Sequence, residues 1–425
     1  MSQADQHRPV TGRFRRFFAA LGPGLITGAA DDDPSSIGTY SVVGAQFGTS
    51  VLWTAFITWP LIAAIQMVCA RIGLVTGKGL ARVLGKKFPR PLVAATCLGL
   101  LVANTITVGA DLSAMADASE MLTGLNSHYY VIFFGVIIAL GTILLRYRRI
   151  ANLLKWFALS LLTYGLTAFV VRPNWNFVLH ETFLPTWPTG HEAWTGLVAI
   201  LGTTISPYLF FWQASLELEE KRDLGRVAHS DGPEAKAKRL GARRLDVALG
   251  TLFSNLAMYF IILTTALTLH GNGATNIETS RDAAAALMPL AGAFAATLFT
   301  VGIVGVGLVA IPALITSAAY AMAETFRWNH GLSEKFKAAR PFYSVIILSS
   351  VIGIALDFAD VSPMKALYWA AVVSGVLAPF LLIGILMVAS DRKIMRQQPS
   401  CLLSQLTVAV TALAMLGAAV GMFVF

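Results

Sequence analysis

Six consecutive residues, Asp31-Asp32-Asp33-Pro34-Ser35-Ser36, hold most of the chemistry that this sequence offers. They interrupt a stretch that is otherwise uncharged from Phe17 to Phe47. A proline inside such a stretch frees backbone carbonyls, which is tolerated at membrane depth only where they line a cavity. A carboxylate there is a functional site by default. A second stretch, Gly202-Thr203-Thr204-Ile205-Ser206-Pro207, repeats the pattern without charge. Carboxylate, hydroxyl and freed carbonyl oxygens suit a hard divalent cation such as Mg²⁺ or Mn²⁺. Ser206 and Tyr208 flank Pro207, so no thioether marks the site for softer metals.

The rest of the chain must hold these stretches in a bilayer. Of 425 residues, 56% are hydrophobic and only 13% charged, with mean hydropathy +0.67. Soluble domains carry about 25% charged residues, so a water-soluble enzyme, a disordered chain and a disulfide-stapled secreted domain are excluded. Long charge-free runs exclude a β-barrel, whose strands alternate. Cys69, Cys97 and Cys401 are scattered and suggest neither disulfides nor a metal cluster.

Gaps between charges predict an all-α polytopic protein with about eleven spans, near 18–46, 50–70, 92–114, 128–145, 152–171, 194–217, 246–269, 292–321, 342–359, 365–389 and 402–424. Residues 17–30 are too few to cross alone, so the first span is read as one helix broken at Asp33-Pro34. With the N-terminus inside, 29 of the 32 Lys and Arg residues fall on the inner side, leaving Arg172, Arg281 and Lys365 outside. The 1–17 tail is then cytoplasmic and the C-terminus outside. A multi-pass protein of the bacterial inner membrane is expected.

The breaks fall in the first and sixth spans. These open two five-span halves, 18–171 and 194–389, with 402–424 an added helix. Five is odd, so the halves are inverted. Broken helices in matching places of inverted halves point to the binding site of a secondary transporter.

On these residues the chain resembles the Nramp (natural-resistance-associated macrophage protein) family of divalent-metal transporters over roughly 17–390. The likeness rests on Gly22-Pro23-Gly24, Asp33-Pro34, the Gly202-x-x-x-x-Pro207 spacing, Asp111-Leu112 and the topology. It implies a LeuT-like 5+5 inverted repeat with discontinuous helices 1 and 6. It also implies metal ligands at Asp33, Ser36, Thr203 and Ser206, beside breaks at Pro34 and Pro207. The family's Asp-Pro-Gly-Asn is here Asp33-Pro34-Ser35-Ser36, and its Met-Pro-His is Ser206-Pro207-Tyr208. The methionine sulfur, which disfavours Ca²⁺ and Mg²⁺, is thus replaced by a hydroxyl. A second family histidine aligns with Gln213. The family's Asp-Leu-Ala-Glu proton route is Asp111-Leu112-Ser113-Ala114. Asp31, Asp32, Asp111, Tyr208 and Gln213 are the candidates for a proton or ion path, and proton coupling is left open. The pattern is that of a divergent branch favouring Mn²⁺ or Mg²⁺.

Other features carry plainer readings. Asp31 and Asp32 either draw in the ion or a proton, or cap the restarting half-helix. Asp117 and Glu120, and likewise Glu217, Glu219 and Glu220, read as solvated helix ends. Asn104 and Asn255 read as interhelical hydrogen-bond links, and Gly302, Gly305 and Gly307 as a close-packing surface. The basic 221–244 segment reads as lipid-facing rather than nucleic-acid-binding. His180, His191 and His270 lack ligand spacing. The expectation is a monomer with a divalent ion as substrate, protons as a further candidate, no cofactor and no enzymatic reaction. An organic-cation or amino-acid carrier on the same fold, and a non-transporting membrane sensor, are the alternatives.

Overall fold

The computed structural model describes residues 28, 30–144, 161–223, 233–332, 334–359 and 361–425, and all their regular structure is helical. The 1–17 tail, residues 18–27 and 29 of the first expected span, residues 145–160 leading the fifth, and 224–232 of the basic segment lie outside the described residues. Among the described residues nine segments are long and apolar enough to cross a membrane: Trp53–Thr76, Arg90–Thr123, Ser127–Leu144, His191–Glu220, Leu240–Asn272, Met288–Phe326, Arg340–Asp357, Pro363–Ser390 and Leu402–Val424. Each overlaps one expected span. The first and fifth expected spans are represented by Pro34–Phe47 and Leu162–Val171.

We label the helices in chain order. The first eight are α1 (Pro34–Phe47), α2 (Trp53–Thr76), α3 (Leu80–Leu84), α4 (Arg90–Thr123), α5 (Ser127–Leu144), α6 (Leu162–Val171), α7 (Trp175–Phe183) and α8 (His191–Thr204). They are followed by α9 (Pro207–Asp223), α10 (Pro233–Thr268), α11 (Ser280–Ala285), α12 (Met288–Ala291), α13 (Ala295–Phe326), α14 (Arg340–Asp357), α15 (Pro363–Ala389) and α16 (Leu402–Val424). Two short helices, α11 and α12, lead into the long helix α13 of the eighth span.

Burial ranks the spans by depth. The broken α8–α9 segment has 94% of its apolar window buried in protein, whereas Ser127–Leu144 has 28% and Arg340–Asp357 33%. The interrupted helix is therefore central, while α5 and α14 present most of their surface to lipid. Surplus apolar residues on those two helices cost nothing in hydrocarbon, and they carry exposed Phe133, Ile137, Leu348 and Val351.

Small residues and amides set the packing at the depth of the breaks. A Cβ on Gly202 of α8 would collide with the backbone at Ala371 and Gly375 of α15, so the two helices cross in direct backbone contact. A Cβ on Gly307 of α13 would meet the Met115 side chain of α4 and the Pro34 ring of α1. The expected glycine surface thus joins α13 to α4 and seats the start of α1 against both. Asn104 donates to the Leu314 carbonyl and to Ser317 Oγ, both at 2.9 Å, linking α4 to α13. Asn255 donates to the Ala55 carbonyl and to Thr58 Oγ1, both at 2.8 Å, linking α10 to α2.

Candidate functional site

Both interruptions follow from the local sequence. Residues 30–31 are helical, Asp32 bends and Asp33 is extended (φ −78°, ψ 170°), and α1 then starts with Pro34 in its first turn. Proline lacks an N–H and holds the helical φ, so it starts this helix well and would interrupt one already running. Asp33 is the N-cap: its Oδ1 accepts from Ser36 N at 2.7 Å, and the Asp33 carbonyl accepts from Ile37 N at 3.2 Å. The remaining early amide, Ser35 N, is taken by Asp111 Oδ1 of α4 at 2.9 Å. Every donor of the first turn is therefore met, two of them by carboxylates at the positive end of the helix.

The sixth span breaks in the same way. Ile205 leaves the helix (φ −109°, ψ 57°) and α9 restarts at Pro207. Ser206 Oγ turns back to the Gly202 and Thr203 carbonyls, at 3.0 and 2.6 Å, covering ends that the break would leave open.

The two breaks meet at Ser36. Its Oγ lies 2.8 Å from the Asp31 carbonyl, 2.8 Å from Asp33 Oδ1 and 2.8 Å from Thr203 Oγ1. Apart from the Ser36 amide hydrogen that Asp33 Oδ1 accepts, those four oxygens share the two hydroxyl hydrogens of Ser36 and Thr203. Asp31, Asp33, Ser36 and Thr203 are each no more than 3% exposed. A buried cluster with more lone pairs than hydrogens is a cation site in waiting. Leu367 O, which accepts from Ser35 Oγ at 3.1 Å, ties α15 to the same turn.

Among the expected ligands, Asp33, Ser36 and Thr203 come together, while Ser206 aims at its own helix. Asp111 stands behind α1, and its Oδ2 is buried without a hydrogen-bond partner among the described residues. Tyr208 donates to the Ala30 carbonyl at 2.6 Å, across the two breaks. Gln213 lies lower on α9 and donates to Glu217 Oε1 at 3.0 Å. Asp31 and Asp32 do not cap α1, since Asp33 does. Their carboxylates face Ser254 of α10, whose Oγ lies 2.8 Å from Asp31 Oδ2 and 3.0 Å from Asp32 Oδ1. Ser254 is a site neighbour that sequence reasoning passed over, because a lone serine in an apolar helix is commonplace.

Three surface readings need correction. Glu217 and Glu219 are 2% and 8% exposed, not solvated. Arg243 of α10, expected to face lipid headgroups, is held by Glu217 at 2.6 Å, by Asp246 at 2.8 Å and by Glu220. Glu219 Oε1 accepts from Tyr320 of α13 at 2.8 Å. Asp117 and Glu120 serve as caps, accepting from Ser280 N at 2.9 Å and Ser127 N at 2.8 Å. The physical reason is common to all: the charged ends of α4 and α9 meet other chain segments, which engage their carboxylates while Asp117, Glu120 and Glu220 stay half-buried.

Among the described residues no three His, Cys, Asp or Glu side chains are grouped to hold a metal. A cation here would rest on one carboxylate with hydroxyl and carbonyl oxygens, a donor set that fits hard ions.

Similarity to known proteins points the same way. The "Divalent metal cation transporter MntH" of Yersinia pestis (strain Pestoides F) is 27% identical over 298 residues, 68% of each chain. Its counterpart in Chromohalobacter salexigens is 25% identical over 391 residues, 91% of this chain and 87% of that one. The fold is that of the Eremococcus coleocola manganese transporter in complex with an aromatic bis-isothiourea substituted compound. That structure matches with TM-score 0.73 and 16% identity, over 99% of this chain and 90% of the other. Mhp1, a nucleobase-cation-symport-1 family transporter in a closed conformation, matches with TM-score 0.60 and 16% identity, over 95% and 92%. The family model described as natural resistance-associated macrophage protein-like covers residues 24–425, and the chain belongs to the Nramp family.

Proposed function

We propose that this protein is a secondary transporter that carries a divalent cation, Mn²⁺ or Mg²⁺, across the membrane by alternating access. The observation that carries the reading is the oxygen cluster of Asp31 carbonyl, Asp33 Oδ1, Ser36 Oγ and Thr203 Oγ1, formed where two broken helices meet. Asp33 supplies the negative charge, Ser36 and Thr203 supply neutral oxygens, and Pro34 and Pro207 mark the points about which the half-helices move. The relatives named as divalent metal cation transporters support the cargo class. The hydroxyl chemistry supports hard ions. The distribution of basic residues supports a cytoplasmic N-terminus and an external C-terminus, and the membrane we propose is a bacterial inner one. We treat the protein as a monomer.

The test is uptake of Mn²⁺ and Mg²⁺ into proteoliposomes carrying an internal pH dye, for the wild type and Asp33→Ala. Uptake that depends on Asp33 is the expected result, and the dye reports whether protons follow. Equal uptake by both proteins at equal incorporation would overturn the assignment of Asp33. No uptake by the wild type would overturn the cargo.

A further inference from the structure

A cavity of about 250 Å³ opens between α1, α8, the 276–277 segment and α15. Its lining includes Val42 and Thr195. Val42 lies six residues after Ser36, and Thr195 eight before Thr203. At 1.5 Å per helical residue, the floor of the cavity is about 9–12 Å from the oxygen cluster, along the same two half-helices. By the proposed topology this is the external side.

Lys365 and Glu192 line the cavity, and Glu278 lies just outside the lining. Lys365 and Glu278 pair at 3.0 Å, and Asn276 donates to the same carboxylate at 3.2 Å. Their charges cancel. Glu192 also lines the cavity and is in no ion pair among the described residues. Gln46 and His191 add amide oxygen and ring nitrogen, while Met364 and Trp369 give apolar wall. A single-sign charge between low-dielectric walls focuses its field and concentrates counter-ions. Size is the second constraint. Six waters at about 30 Å³ each fill about 180 Å³, so a hexahydrated Mg²⁺ or Mn²⁺ fits with its shell intact. The cluster below, with oxygens 2.8 Å apart, accepts only an ion that has shed water.

We propose that this cavity is an outer capture site for the hydrated divalent cation, with Glu192 as its attracting charge and Gln46, His191 and Asn276 as partners to the water shell. The proposal rests on the transport reading above and adds a place where the ion waits before it is stripped. Across about 6 Å of water, one charge acting on a divalent ion is worth about tenfold in occupancy, and about fivefold once screened by moderate salt.

The experiment measures initial Mn²⁺ uptake against concentration in cells expressing the full chain, at low and high ionic strength. Glu192→Gln should raise the half-saturation concentration about fivefold, keep the maximal rate within about twofold, and flatten the salt dependence. Glu192→Asp should retain a low half-saturation value. Gln46→Glu, also in the lining and exposed, should lower it at low salt. Unchanged half-saturation in Glu192→Gln and Gln46→Glu, with a transporting wild type, would overturn the capture site and leave the transport reading standing. A lowered maximal rate at unchanged half-saturation would overturn it too. A wild type that moves no divalent ion would instead overturn the transport reading.

Discussion

Asp33 has two separable jobs, and two substitutions divide them. As N-cap of α1, its Oδ1 accepts from Ser36 N at 2.7 Å and lies 2.8 Å from Ser36 Oγ. As the only carboxylate oxygen in the cluster, it would supply the charge for the proposed cation. An asparagine side chain in its place would keep a capping oxygen of nearly equal quality, whereas an alanine would not. Asp33→Asn should therefore leave metal-free stability at or above wild type, because a capping acceptor stays and one buried negative charge near Asp111 goes. Asp33→Ala should sit below Asp33→Asn by about 1 kcal/mol, the usual worth of a cap, or about 1–2 °C in melting temperature for a chain of this size. Metal binding divides differently. Removing one partner of a buried charge pair costs about 3–5 kcal/mol, which is more than a hundredfold in affinity. Both variants should lose the Mn²⁺-induced rise in melting temperature, which at about a hundred times Kd amounts to about 2.7 kcal/mol for a competent site. The assay is thermal unfolding of purified protein with and without Mn²⁺, beside isothermal titration. Mn²⁺ affinity in Asp33→Asn within about threefold of wild type would refute the charge reasoning. Equal melting temperatures for the two metal-free variants would refute the capping reasoning.

The remaining predictions concern the frame around the site. Arg243→Ala takes the guanidinium away from Glu217, Glu220 and Asp246 and should cost about 3–5 kcal/mol, read as a melting-temperature drop of several degrees. Arg243→Lys should recover only part of it, since one ammonium cannot match the guanidinium fork. Gly202→Leu should force α8 off α15 and abolish uptake while the protein still inserts, whereas the same change at Gly417, with open space around it, should be silent in uptake and yield. Tyr320→Phe removes the 2.8 Å link from α13 to Glu219 on α9. It should raise thiol labelling of cysteines placed on the inner half of α9, measured as a modification rate, and an unchanged rate would show that this link does not hold the inner side shut.

Much of this was legible in the sequence because the bilayer leaves few choices. Charge-free runs of about 20 residues must be helices, so the spans could be bounded by counting between charges. The breaks were legible because Pro34 and Pro207 each follow residues that can cap or cover a helix end. What could not be read was direction. Ser36, Thr203 and Ser206 look alike on paper, yet two hydroxyls face each other at 2.8 Å while the third folds back on its own helix. Side-chain aim depends on how α8 sits among its neighbours, and Gly202 and Gly375 set its crossing with α15 through a contact far away in the chain. Arg243 failed for a related reason. A basic residue near a helix start reads as headgroup-facing until the length of α9, which brings Glu217 and Glu220 to it, is known.

The aim of Ser206 also bears on the choice of ion. Where the family places a methionine sulfur, this chain has a hydroxyl already engaged by the Gly202 and Thr203 carbonyls. The substitution therefore removes a soft ligand without presenting a fresh oxygen in its place, and it covers one carbonyl that could otherwise bind. An ion held mainly by Asp33, Ser36 and Thr203 must complete its shell with water. Mg²⁺ keeps several waters in most protein sites because it dehydrates reluctantly. Mn²⁺ shares the preference for oxygen donors. Later transition metals gain most from sulfur or imidazole, and the cluster contains neither. Selectivity would then arise from how many waters the ion keeps after shedding those that the cluster displaces, a shell that the capture site above it would leave whole.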